Sequence, residues 1–81
     1  MKSLELEIRD LVFDTIPLEY EISKVTSATT LKSLGLSSLE IIDVIFELED
    51  KYDIHIGTEE MFQIDCLSEL AGLIQSKIEV A

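Results

Sequence analysis

The chain has 81 residues and a mass of 9.1 kDa, which is enough for one small domain with a core. Its 17 acidic residues outnumber its six basic ones, and the net charge of -11 opposes binding to nucleic acid or to an anionic membrane surface. No apolar run approaches the length of a membrane span or of a signal peptide, so we expect a soluble cytoplasmic protein with no membrane insertion.

The first predicted element is an amphipathic helix over residues 4–16, with Ser3 as its N-cap and Pro17 as its end. Residues 17–36 show no sustained period and are rich in serine and threonine, which predicts an ordered loop. A loop of this length in so small a domain is often functional. We expect four apolar side chains to fix it to the core: Ile22, Val25, Leu31 and Leu34.

The strongest helical pattern covers residues 38–52 and carries two apolar stripes. The first stripe, which we assign to the core, consists of Ile41, Ile45, Leu48 and Tyr52. The second stripe consists of Leu39, Ile42 and Phe46. Because one stripe is enough to dock a helix on a small core, the second is either additional core or an exposed surface for a partner.

Negative charge is concentrated in the second half of the chain. Residues 37–81 hold eleven acidic residues against two basic ones, and most of these acids fall between Glu40 and Glu60. On composition alone this pattern is typical of a solvated face that keeps a protein soluble. The alternative is an electrostatic docking surface, and charge by itself does not distinguish the two.

Two further helices complete the predicted fold. Residues 52–56 are too short and isolated to pair as a strand, so we interpret them as a connector. Thr58 is predicted to cap a short helix at about residues 59–64. A terminal helix over residues 66–78, beginning at Asp65 or Cys66, has a clear apolar stripe made of Leu67, Leu70, Ala71, Ile74 and Ile78. The sequence thus predicts an all-α bundle of three main helices plus one short helix, with a long first loop.

The turn before the strongest helix is the most informative segment. Gly35 allows a turn, and Ser37 with Glu40 fits a capping box, which places Ser38 at the first helical position. The Ser38 hydroxyl would then lie outside the core in the positive field of the helix start, where a phosphate ester is favoured. Most such serines, however, do nothing more than begin a helix.

The sequence offers no catalytic setting for this serine. The motif lacks the Lys-Ser/Thr ending of a P-loop and the second glycine of a nucleophile elbow. The single histidine, His55, lies past the far end of the helix that Ser38 begins, so it is interpreted as a surface residue. Cys66 is interpreted as a small buried side chain, and no residue is assigned to a metal.

At these residues the chain resembles the acyl carrier protein family. Residues 34–40, Leu-Gly-Leu-Ser-Ser-Leu-Glu, resemble the family signature Leu-Gly-x-Asp-Ser-Leu-Asp/Glu. Residues 44–54 resemble its second helix, and residues 56–60 resemble its Ile-Pro-Asp-Glu-Glu segment. The similarity covers nearly the whole chain, so residues 1–81 are expected to form a single acyl-carrier domain, and the family's helix order agrees with the predicted elements.

The resemblance departs from the common fatty-acid carriers at two places. Ser37 replaces the aspartate that usually precedes the modified serine, as in peptidyl carriers, which removes one negative charge beside that serine. The spacing between Leu31 and Leu34 is one residue shorter than in those carriers and is similar to that of nodulation-type carriers. The spacing favours a dedicated lipid or polyketide pathway over bulk fatty-acid synthesis, whereas the lost charge bears on recognition by the modifying transferase.

The resemblance implies that Ser38 bears 4'-phosphopantetheine derived from coenzyme A, whose thiol carries an acyl or aminoacyl group. The protein would be a monomer that catalyses no reaction. It would present its cargo to a phosphopantetheinyl transferase, an acyl-loading ligase or synthase, and acyltransferases with basic docking patches. The partner-binding residues implied are Leu39, Glu40, Ile42, Asp43, Phe46, Glu47, Glu49 and Asp50.

The first stripe would face the core and would also line the space that an acyl chain enters. The alternative hypothesis is a small acidic helical adaptor that binds partners and is never modified. The two hypotheses share the acidic surface and differ at Ser38.

Overall fold

The fold is a helical bundle, shown by a computed structural model that describes residues 3–80. Four α-helices lie in this range: α1 (Ser3–Thr15), α2 (Ser38–Tyr52), α3 (Thr58–Phe62) and α4 (Leu67–Val80). The first helix packs against both α2 and α4, and the short α3 lies in the connection between them. The predicted bundle of three main helices plus one short helix is confirmed.

The core lies between the three long helices and the inner side of the first loop. Its buried apolar side chains are Ile8, Val12, Ile16, Val25, Leu31, Leu34, Leu36, Val44, Ile45, Leu48, Ile56, Leu67, Leu70, Ala71 and Ile74. Burying one aliphatic side chain of this size contributes about 1.5–3 kcal/mol to folding. The loop therefore belongs to the packed structure, as its apolar residues predicted.

Of the four side chains predicted to fix the first loop to the core, three do so, and the prediction for Ile22 is wrong. Val25, Leu31 and Leu34 are buried, whereas Ile22 is 40% exposed. The reason is a single turn of 3-10 helix at Ile22–Lys24 that the sequence did not predict. Because this turn holds Ile22 on the outer side of the loop, the extended residue that follows it, Val25, fills the core instead.

Backbone hydrogen bonds fix the end of the loop to the start of α4. The Leu31 N–H donates to the Asp65 carbonyl at 2.9 Å, and the Leu67 N–H donates to the Thr29 carbonyl at 3.1 Å. Between them lies an isolated antiparallel bridge that includes Cys66. These bonds hold the segment leading into α2 against the segment leading into α4.

The bounds of three predicted helices differ from the structure. Ser3 lies inside α1 and does not precede it. The short helix begins at Thr58, with Gly57 as its N-cap, because the Glu60 carboxylate accepts a hydrogen bond from the Gly57 N–H at 3.0 Å. The terminal helix begins at Leu67, one residue later than predicted, and runs on to Val80.

Two residues of the terminal segment are more exposed than predicted. Cys66 is only partly buried, because its backbone pairs with the loop and its Sγ lies beside the Ser68 hydroxyl at 3.1 Å. Ile78, in the last turns of α4, is exposed although it continues the apolar stripe. The stripe that packs therefore ends at Ile74.

The far end of α2 is tied to α1 by a side-chain contact. The Tyr52 hydroxyl donates to Oε2 of Glu7 at 3.2 Å. Partial burial, followed by the nearby Glu7 carboxylate, raises the pKa of Tyr52 to about 12. Asp53 then ends α2 in the left-handed conformation, with φ at 53°. The connector that follows has no strand, as predicted.

Candidate functional site

The start of α2 is fixed by reciprocal capping. The Ser37 Oγ accepts a hydrogen bond from the Glu40 N–H at 3.2 Å, and Oε1 of Glu40 accepts one from the Ser37 N–H at 2.8 Å. Gly35 makes the preceding turn with a φ of 92°, a conformation that favours glycine. The predicted capping box is confirmed, and it holds the helix start in one geometry.

Ser38 is the first residue of α2, and its side chain is exposed, as predicted. Within residues 3–80 no side chain or backbone group forms a hydrogen bond with its hydroxyl. The only histidine, His55, is a surface residue whose Nδ1 lies 3.2 Å from Oε2 of Glu49, near the other end of the helix. The Ser38 hydroxyl is therefore exposed, and no base contacts it in the part of the chain that the structure describes.

A cavity of about 490 Å³ lies beside Ser38, between α2, α3 and the end of the first loop. Its apolar wall consists of Leu31, Ile41, Met61, Phe62 and Ile64. Its polar groups, besides Ser38, come from Thr30, Lys32 and Asp65. Ile41, assigned to the core by its spacing, is only partly buried because it faces this cavity.

The second apolar stripe of α2 is on the surface. Leu39 is 75% exposed, Phe46 is 62% exposed, and Ile42 is partly buried. The core side of the same helix is formed by Ile45, Leu48 and Val44, of which Val44 was missed by sequence reasoning. The signal was present, because Val44 precedes Leu48 by four residues and so shares its face.

The acidic residues of α2 have two kinds of surroundings. Asp43, Glu47 and Asp50 are exposed and make no hydrogen bond or ion pair within residues 3–80. Glu40 serves the capping box, while the side chain of Glu49 is only 18% exposed and accepts a hydrogen bond from the Ile56 N–H at 2.8 Å. Two of the predicted partner-binding acids thus hold the fold as well.

The helices α3 and α4 begin with an acid three residues after the cap, as α2 does. Hydrogen bonds from the Gly57 N–H and then from Lys77 lower the pKa of Glu60, and the Lys77 Nζ lies 3.0 Å from its carboxylate. The backbone N–H groups of Asp65 and Cys66 donate to Glu69 and lower its pKa. Sequence reasoning missed Glu69, although its position three residues after Cys66 matches the spacing of a capping box.

Within residues 3–80 no helix is both long enough and apolar enough to cross a membrane. The same range contains no group of three or more histidine, cysteine, aspartate or glutamate side chains placed to hold a metal ion.

Comparison with known proteins identifies the family. The family profile described as the phosphopantetheine attachment site matches residues 7–74. The chain belongs to this family. The acyl carrier protein of Buchnera aphidicola subsp. Acyrthosiphon pisum (strain 5A) is 30% identical over 77 residues, which is 95% of each chain. The acyl carrier protein of Streptococcus pyogenes serotype M1 is 31% identical over 71 residues, covering 88% of this chain and 90% of that one.

Solved structures of the family share the fold. The acyl carrier protein of Thermotoga maritima superposes with a TM-score of 0.80 at 22% identity, covering 99% of this chain and 98% of that one. Hexanoyl acyl carrier protein from the actinorhodin polyketide synthase of Streptomyces coelicolor gives a TM-score of 0.81 at 20% identity, covering 91% and 88% of the two chains. Both confirm the predicted helical architecture.

Members of this family carry 4'-phosphopantetheine on a serine and act as carriers, not as catalysts. They work in general with synthases, transferases and phosphopantetheinyl transferases. The residues of this chain fit the group, because Ser38 offers an exposed hydroxyl at a helix start with a cavity beside it.

Proposed function

We propose that Ser38 bears 4'-phosphopantetheine, transferred from coenzyme A, and that the chain is a stand-alone carrier of acyl or aminoacyl groups. The observation that carries the proposal is the exposed Ser38 hydroxyl at the start of α2, within the matched residues 7–74. The bound group supplies a terminal thiol that holds the cargo as a thioester. The carrier works as a cytoplasmic monomer.

The surroundings of Ser38 suit a phosphodiester. The first N–H groups of a helix have no partner within the helix, and its dipole stabilises a nearby anion by about 0.3–1 kcal/mol at an exposed site. The capping box of Ser37 and Glu40 keeps this end of α2 ordered, so the attachment point keeps its position when a partner binds.

The face of α2 beyond Ser38 forms the docking surface, which we define as Leu39, Ile42, Asp43, Phe46, Glu47 and Asp50. Glu40 and Glu49 lie at its border and add negative charge. A partner matches this surface with an apolar pocket surrounded by arginine and lysine. Such contacts give rapid, salt-sensitive and transient association. The partners are a phosphopantetheinyl transferase, an acyl-loading ligase or synthase, and acyltransferases.

The cavity beside Ser38 offers the cargo a place away from water. Of the core stripe predicted to line such a space, Ile41 does so, whereas Ile45 and Leu48 are buried behind it. The short spacing from Leu31 to Leu34 supports a dedicated pathway.

The attachment is tested by incubating the apo protein with coenzyme A and a promiscuous phosphopantetheinyl transferase. We expect intact-mass spectrometry to show the addition of one phosphopantetheine group, which Ser38→Ala abolishes. Ser68→Ala is the matched control, because Ser68 is also an exposed serine in the first turn of a helix. No addition with several transferases, or addition that persists in Ser38→Ala, contradicts the proposal and favours the unmodified adaptor.

Docking is tested with the same transferase at low carrier concentration. Asp50→Lys and added salt should each slow the modification, because both weaken the attraction to a basic patch. Asp14→Lys makes the same change of charge on α1, away from the docking surface, and should have a smaller effect. Equal rates for the two variants would show that the modification rate depends on net charge alone and would contradict the docking surface.

A further inference from the structure

Basic side chains are scarce in this chain, and within residues 3–80 only one of them lacks a partner. Three form ion pairs: Arg9 with Asp10 at 2.8 Å, Lys24 with Glu21 at 3.7 Å and Lys77 with Glu60 at 3.0 Å. A fourth, Lys51, has its ammonium 5.6 Å from the centre of the Tyr52 ring. Lys32 makes no ion pair, side-chain hydrogen bond or aromatic contact in this range, although the chain has 17 acidic residues.

The side chain of Lys32, which has no partner in this range, borders the cavity of the candidate site. Lys32 is exposed on the first loop and lines the same cavity as Ser38. Asp65 lines this cavity too, yet the two side chains form no ion pair. A cation without a partner in the described residues therefore lines the same cavity as the hydroxyl that the proposed function makes into a phosphodiester, which is an anion at neutral pH.

We propose that Lys32 is the internal counter-ion of the phosphodiester on Ser38, and that this contact positions the attached arm over the cavity. The inference rests on the proposed function. Apolar walls from Ile41 and Met61 suit the dimethyl segment of the arm, while Thr30 and Asp65 offer partners to its amide groups. Lys32 is thus a positioning residue that holds the arm over the cavity.

The expected effect is modest, because the ion pair is exposed to water. Exposed pairs change a population by up to about fivefold, and salt weakens them because the screening length is about 10 Å at 0.1 M. Lys32→Ala should therefore release the arm only in part, whereas Lys32→Arg should keep it in place because the charge remains.

The test uses the phosphopantetheinylated protein and nuclear magnetic resonance at low salt. We expect Lys32→Ala to shift the phosphorus resonance of the phosphodiester and to weaken, by up to about fivefold, the contacts between the arm's dimethyl group and the methyl groups of Ile41 and Met61. Lys32→Arg should restore both signals. Lys24→Ala, which changes the net charge equally at an exposed pair that does not line the cavity, should change neither.

Unchanged spectra in Lys32→Ala, equal changes in Lys24→Ala, or no rescue by Lys32→Arg would each overturn the role of Lys32. A Lys32→Ala variant that is modified more slowly but has unchanged spectra would place Lys32 in contact with the transferase and would also overturn it. None of these outcomes affects the proposed function, which fails if the wild-type protein gains no phosphopantetheine or if the addition persists in Ser38→Ala.

Discussion

The two faces of α2 differ sharply in burial, and the proposed function assigns the buried face to the fold and the exposed face to recognition. Leu48 is 0% exposed and Phe46, two residues earlier, is 62% exposed. Leaving a side chain of this size in water forgoes about 1.5–3 kcal/mol of burial free energy. Leu39 and Phe46 share the face of α2 that carries Ser38, and on the proposed function a partner covers both side chains during docking.

The acidic residues of α2 also differ between a buried, bonded position and exposed positions without contacts. Glu49 is mostly buried and binds the backbone of the connector, whereas Asp43 and Glu47 are exposed and make no contact within residues 3–80. Residue type therefore does not decide whether an acid of this helix makes structural contacts. Its position around the helix axis decides this, and the exposed acids are the ones assigned to recognition by the proposed function.

The largest expected effect on stability comes from a substitution on the buried face of α2. Leu48→Ala leaves a cavity in the core and should lower the free energy of unfolding by about 2–5 kcal/mol. Phe46→Ala removes an exposed ring and should change it by about 0.5 kcal/mol or less. Chemical denaturation measures both values, and the rate of modification by the transferase should fall for Phe46→Ala despite its stability. A Phe46→Ala variant as unstable as Leu48→Ala would show that this ring belongs to the core.

A smaller effect separates the two neighbouring serines. Ser37→Ala removes the side-chain oxygen that accepts the Glu40 N–H and should lower the free energy of unfolding by about 0.5–2 kcal/mol. Ser38→Ala should lower it by less, because the Ser38 hydroxyl makes no hydrogen bond within the described residues. Equal losses in thermal unfolding of the apo variants would contradict this division of roles.

The smallest effect concerns the acids that cap α3 and α4. Because the folded pKa values of Glu60 and Glu69 lie below their ordinary 4.5, the unfolded chain binds protons first as the pH falls. The contribution of these two carboxylates to the free energy of unfolding is complete well above pH 4.5. It is lost as the pH falls through their lowered pKa values. Denaturation at a series of pH values should show that Glu69→Gln reduces this acid sensitivity. Glu47→Gln, a control on the exposed face of α2, should reduce it less.

Local signals predicted the elements and the centre of the site well. The bounds of α2 were predicted correctly because Ser37 and Glu40 satisfy its first N–H groups and Pro or Gly does not interrupt its apolar period. The exposure of Ser38 followed from the same cap. The apolar face around Leu39 and Phe46 was identified, but only the structure decided between core and surface.

What the sequence did not predict depends on contacts between distant segments. Glu5 is buried where α1 lies near the first loop and α4, and Cys66 is partly exposed where that loop contacts the start of α4. No local pattern in the sequence predicts these contacts. A space for an acyl chain lined by Ile41 was predicted, but its other walls were missed for the same reason, because Lys32 and Met61 are brought to one place by the fold alone.

The central claim is that the Ser38 hydroxyl, and not its neighbour, bears the prosthetic group. Fragmentation mass spectrometry of the modified wild-type protein tests it most directly, because Ser37 and Ser38 are separated by a single peptide bond. We predict that every fragment containing Ser38 carries the added group and that fragments ending at Ser37 do not. Fragments that place the group on Ser37, or on any serine outside the start of α2, would contradict the account.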